Sequence, residues 1–189
     1  MAKFFGNLNA VVATGFGAAV ILLLWTNSIG NVAGWMTFLH VISGIMWIGL
    51  LYYFNFVQIP TMPNIPAELK AGVTKYIAPK ALWWFRYGAL ATVVTGLTVA
   101  GLNHYLKEAL TLTPGSQLIG IGMYLALIMA ANVWFVIWPN QQKALGLVEA
   151  DAETKAKAGV TAMMFSRINT ILSVPMLFCM VLHRLGGAM

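Results

Sequence analysis

Five stretches of this chain are too long and too apolar to belong in a water-soluble fold. They lie near 8–26, 34–58, 82–104, 117–138 and 165–184. A helix needs about 20 mainly apolar residues to cross the hydrocarbon of a bilayer. Backbone in hydrocarbon finds no water for its N–H and C=O groups, so spanning segments of this kind fold as helices. Composition agrees: 8% of the 189 residues are charged, against about 25% in a soluble domain. The expectation is an all-α integral membrane protein, one transmembrane domain over residues 1–189 with five transmembrane helices. Short connections make neighbouring helices antiparallel, so helices 2–5 are expected to form an antiparallel four-helix bundle. The apolar run after Lys3 exceeds the roughly 7–15 residues of a signal-peptide core, and it reads as a retained helix.

The connectors set the orientation. "IPTMPNIPAELKAGVTKYIAPK" holds four prolines and three lysines, so residues 59–81 are expected to be a loop and not one continuous helix. Residues 139–164 are expected to form the second cytoplasmic loop; the segment is Ala-rich and charged and is expected to be helical on the membrane surface, its "EADAETKAKAG" a solvated helix. With these two loops, the N-terminus and the adjoining helix ends on one side, that side holds nine of the 11 lysines and arginines. Lys107 and Arg184 fall on the other. Positive charge marks the cytoplasmic face. The N-terminus is therefore expected in the cytoplasm and the C-terminus in the periplasm, across a bacterial inner membrane. The net charge of +6 is explained by these helix ends, so nucleic acid is not an expected partner.

Motifs exclude several chemistries. The single cysteine, Cys179, allows no disulfide within the chain, and without CxxCH there is no covalent c-type haem attachment. There is no GxSxG, P-loop, GxGxxG or HExxH, and no span carries a carboxylate pair. What remains is three histidines. His40 stands near the start of the second span, His104 at the end of the third and His183 in the last turn of the fifth. At 1.5 Å per residue each lies about 24–30 Å from the cytoplasmic end of its helix. All three are thus expected at one depth near the periplasmic side. Neutral imidazole is a ligand for haem iron, copper and zinc. An ionisable group inside a span is costly and commonly functional, which singles out His40. His104 and His183 lie near the interface, where solvation alone accounts for a histidine.

Small residues near these histidines offer room for a flat macrocycle. Gly44 is one turn after His40. Gly88, Thr92, Gly96, Ala100 and His104 recur every fourth residue. Asn169, Ser173, Met176, Met180 and His183 line one face of the fifth span. The plainer reading of such stripes is helix packing. Arg86 and Arg167, near cytoplasmic helix ends, are expected to snorkel to lipid headgroups; binding of an anionic substrate or second cofactor is the alternative.

Four blocks carry a resemblance: "LHVISGIMWIGLLYYF" (39–54), "LWWFRYGALATVVTGL" (82–97), "NVWFVIWPNQQK" (132–143) and "NTILSVPMLFCMVLH" (169–183). In this order they resemble the membrane domain of bacterial cytochrome-c-linked urate oxidase, the urate oxidase N-terminal family. The first block is also similar, more distantly, to haem-binding protoporphyrinogen oxidases and copper-resistance membrane proteins. The resemblance implies a multi-helix membrane domain joined to a periplasmic cytochrome c, and it matches His40 and His183 to family histidines. The chain departs from the family pattern at Trp83, Gly88 and Ile168, where histidine, glutamate and histidine are expected.

The functional expectation is a membrane redox protein. His40 and His183 hold a b-type haem near the periplasmic side, with His104, Gly44 and Gly96 as further cofactor-binding positions, and electrons pass to or from a cytochrome c or quinone. Copper or zinc is the alternative metal. The competing readings are a non-catalytic subunit docking to other membrane subunits or to its own copies, and a urate-oxidase-type enzyme lacking its fused cytochrome.

Overall fold

The computed structural model describes residues 1–186. All regular structure among them is helical. Five helices are long and apolar enough to cross a membrane: α1 (Leu8–Trp25), α2 (Val32–Asn64), α3 (Ala67–Leu102), α4 (Gln117–Ala144) and α5 (Ala152–Arg184). The chain divides into two compact units, Met1–Trp35 and Met36–Met189. In the first, the Asn7 side chain accepts from Ala10 N at 3.2 Å and caps α1. Asn31 Oδ1 accepts from Gly34 N at 2.8 Å and opens α2. Satisfying such orphan N–H groups is what fixes a helix start.

In the second unit one apolar core draws on four helices. Trp47 and Leu51 come from α2, Phe85 and Ala89 from α3, Met129 and Val133 from α4, and Met176 from α5. α5 packs against α4 along both its halves. A short helix, Leu106–Leu110, joins α3 to α4 and buries Ala109 beside Ala100 and Ile119.

The helices extend well beyond the apolar stretches. Residues 59–81 are mostly helical but, as their prolines lead one to expect, not one continuous helix: Ile65 and Pro66 interrupt it. Of 139–164, only residues 145–151 lie outside helix, and "AETKAKAG" is the start of α5. The prolines are accommodated, not avoided. π-helical turns at Tyr53–Gln58, Val73–Ile77 and Asn132–Ile137 end just before Pro60, Pro79 and Pro139. Proline removes one N–H and its ring crowds the carbonyl four residues back. A wider turn relieves that crowding and lets the helix continue.

Polar groups inside the core are paired across helices. Asn169, fully buried, donates to Met129 O and accepts from Asn132 Nδ2, both at 2.9 Å. Tyr52 Oη lies 3.0 Å from Ser173 Oγ, and Asn55 Nδ2 donates to Ser166 Oγ at 2.7 Å. The polar stripe of α5 therefore ties α2 and α4 to it. Only its far end is left for a ligand.

His104 has a structural role. It follows Leu102 and Asn103 with φ +60°, in the left-handed region. His104 N donates to Gly101 O and Tyr105 N to Ala100 O, each at 3.1 Å. This is the double bond that closes a helix C-terminus, at the position glycine favours. Because a side chain is strained there, His104→Gly is expected to stabilise the protein by about 0.5–1 kcal/mol. SDS unfolding in mixed micelles checks it; a destabilised variant overturns this account.

Candidate functional site

A cavity of about 630 Å³ opens where the ends of α2, α3, α4 and α5 meet the turn after α3. His40 and His183 both line it, with Thr92, Gly96, Tyr105, Met123, Met180 and Arg184 among the other walls. The lining is mainly aliphatic, and Arg184 is its one formal charge.

His40 is half-buried and held by α3. Its Nδ1 lies 2.9 Å from Thr92 O and 3.3 Å from Thr95 Oγ1. A backbone carbonyl only accepts, so Nδ1 carries the proton and donates. In the neutral ring Nε2 then carries the lone pair, and it has no hydrogen-bond partner among the described residues. Metal-binding histidines are prepared in this way, one nitrogen anchored to a carbonyl and the other left to coordinate. Thr95 Oγ1 donates onward to Ala91 O at 2.6 Å, which leaves its lone pairs to His40.

Gly96 is what lets the ring lie there. A Cβ on Gly96 would stand 2.7 Å from His40 Cε1 and 3.0 Å from Nδ1. Its role is to seat the imidazole against α3. Gly44 also faces Thr92 but with room to spare: its added Cβ would meet only Thr92 Cγ2, at 3.9 Å, and it does not itself line the cavity.

His183 reaches the cavity from the last turn of α5, its ring centroid 5.1 Å from that of Tyr105. Burial pushes the Tyr105 phenol up from its ordinary value, against a smaller opposing pull from Arg184. Tyr105 therefore stays a neutral hydroxyl donor at neutral pH. His104 is exposed in the turn and is not a cavity residue. Among the described residues no group of three or more His, Cys, Asp or Glu is placed to hold a metal ion. The three-histidine copper or zinc arrangement is thus not formed.

Residues 110–186 match the model of the urate oxidase N-terminal family. The match takes in α4, α5 and His183, less than half of the chain, and stops short of α2 and His40. No curated protein and no solved structure matches the chain. Two of the blocks noted in the sequence, "NVWFVIWPNQQK" and "NTILSVPMLFCMVLH", fall inside the urate oxidase N-terminal match. The three departures from the family pattern are also placed. Trp83 and Ile168 are exposed apolar side chains. Gly88 is buried, and a Cβ there would stand 3.3 Å from Trp47 N. These positions offer no acid or base to the cavity.

Of the positions the sequence put at a site, His40, Gly96 and His183 line the cavity, and Gly44 and His104 do not. The sequence did not single out Tyr105, Met123 or Arg184. Tyr105 and Arg184 each follow a histidine directly in the sequence, the one signal that pointed to them.

Proposed function

We propose that this chain is a membrane redox protein whose His40 and His183 bind a b-type haem. The observation that carries the reading is two imidazoles on one apolar cavity, one of them anchored at Nδ1 with Nε2 left free. The residues present fit the group. The cavity's size falls within the roughly 300–1,000 Å³ range of ligand sites, its walls are aliphatic and thioether, and Arg184 supplies a cation for a propionate. Haem, when bound, supplies one-electron chemistry. The chain's own part is to fix the His40 tautomer through Thr92 O, to keep water away with Met123 and Met180, and to hold Tyr105 as a neutral donor.

Helices α2–α5 are read as an antiparallel four-helix bundle in a bacterial inner membrane, N-terminus cytoplasmic and C-terminus periplasmic. The supporting observation is the charge bias of the connectors. The cavity then faces the periplasm, within reach of a cytochrome c or a quinone. A urate-oxidase-type reaction is less well supported, because Trp83, Gly88 and Ile168 supply no acid–base group.

The test is an absorption spectrum of protein purified from haem-replete cells, oxidised and dithionite-reduced. A Soret band that His40→Ala and His183→Ala each remove is expected. Wild-type protein without a Soret band, or full spectra in both variants, overturns the proposal.

A further inference from the structure

Arg86 is the only buried cation among the described residues, 9% exposed. It does not snorkel, unlike Arg167, which is exposed. Its guanidinium carbon sits 3.7 Å from the centre of the Trp138 ring, 5.2 Å from Trp134 and 5.0 Å from Tyr87. Aromatic faces stabilise a cation stacked on them. They do nothing for N–H donors that point outward in the guanidinium plane. Arg86 Nε and Nη1 are buried without a hydrogen-bond partner, and so is Nε1 of the adjacent Trp134.

Nothing in the described chain neutralises this charge. All five acidic residues are exposed. The one ion pair among the described residues joins Lys157 to Glu153. Asn55 Oδ1 and Gln58 Oε1 are also buried and unpartnered, but an amide oxygen accepts a hydrogen bond without cancelling a charge. A buried ion with no counter-ion is strongly disfavoured. Three donors in one small volume match a group that is acceptor-only and negative.

We propose that Arg86 and Trp134 Nε1 bind the phosphate group of a ligand, from a lipid headgroup or from a free phosphate. Guanidinium is well matched to phosphate oxygens in charge and hydrogen-bond geometry. The exposed Trp83 and Trp84, less than one turn before Arg86, are the residue type that settles at headgroup level. This site does not involve the histidine cavity and stands whether or not haem binds there.

The full chain, delipidated in a maltoside detergent, is heated while tryptophan fluorescence is followed. The additions are short-chain phosphatidic acid, inorganic phosphate, or diacylglycerol of the same chain length. A rise in the unfolding midpoint of several degrees is expected with phosphatidic acid and none with diacylglycerol. A rise with phosphatidic acid alone assigns the site to a lipid headgroup; a rise with inorganic phosphate as well assigns it to free phosphate. Arg86→Gln is expected to abolish the response. Trp134→Phe keeps a ring and loses only the donor; it is expected to weaken apparent affinity several-fold, and it serves as the test if Arg86→Gln does not fold. No rise in either phosphate arm, an equal rise with diacylglycerol, or an unchanged response in the variants overturns the proposal.

Discussion

On the proposed haem reading, Gly96→Ala is expected to empty the cavity of haem as completely as His40→Ala. The added methyl would stand 2.7 Å from His40 Cε1 and 3.0 Å from Nδ1, well inside van der Waals contact. Helix α3 cannot yield, because its own core residues Phe85 and Ala89 are packed against α2 and α4. So the ring moves, and it moves away from Thr92 O. Losing such an anchoring partner alone lowers metal affinity by about 10–100-fold, and here the coordinating nitrogen is displaced as well. Gly44→Ala is the matched control. Its methyl makes an ordinary 3.9 Å contact with Thr92 Cγ2, and haem content should be unchanged. The haem-to-protein ratio by pyridine haemochrome, with size exclusion to confirm folding, reads both. A Gly96→Ala protein with full haem content refutes the seating role.

The spans were legible because hydropathy alone decides which segments prefer lipid. The ends were not. The prolines of 59–81 do break the helix, but only at Ile65–Pro66; Pro60 and Pro79 are each preceded by a π turn that carries the helix past them. The misplaced helix end propagated to Arg86. A third helix starting at 82 puts Arg86 one turn from its end, where snorkelling is easy. With α3 starting at Ala67, Arg86 is not at a free helix end, and it is buried against Trp134 and Trp138 of α4. Depth arithmetic did bring His40 and His183 to one cavity, since rise per residue is insensitive to where helix ends fray. It failed for His104 because the helix stops at Leu102. Two residues later the backbone has turned into the left-handed region, and equal depth no longer means a shared face.

The packing that positions His183 makes the second large effect. Gly122 of α4 faces α5, and a Cβ there would stand 2.8 Å from Cys179 Cβ and 3.4 Å from Met180 Cε. Met180 can swing aside, being unbranched and flexible. Cys179 Cβ cannot, because it is fixed to the backbone of α5. Gly122→Ala must therefore push the two helices apart, at about 1–3 kcal/mol for overpacking. Its higher helix propensity returns about 1 kcal/mol at most, so the clash wins. Cys179→Gly alone should cost about 0.3 kcal/mol in propensity plus a small void. Joined with Gly122→Ala it removes the clashing atom, and the double variant should be more stable than the sum of the two singles. A favourable coupling of about 1 kcal/mol or more is expected from SDS unfolding. Because His183 lies one turn beyond Cys179, the same haem reading has Gly122→Ala lower haem content and Cys179→Gly restore it. Additive stabilities with unchanged haem content would mean that α4 and α5 are not in contact at this pair.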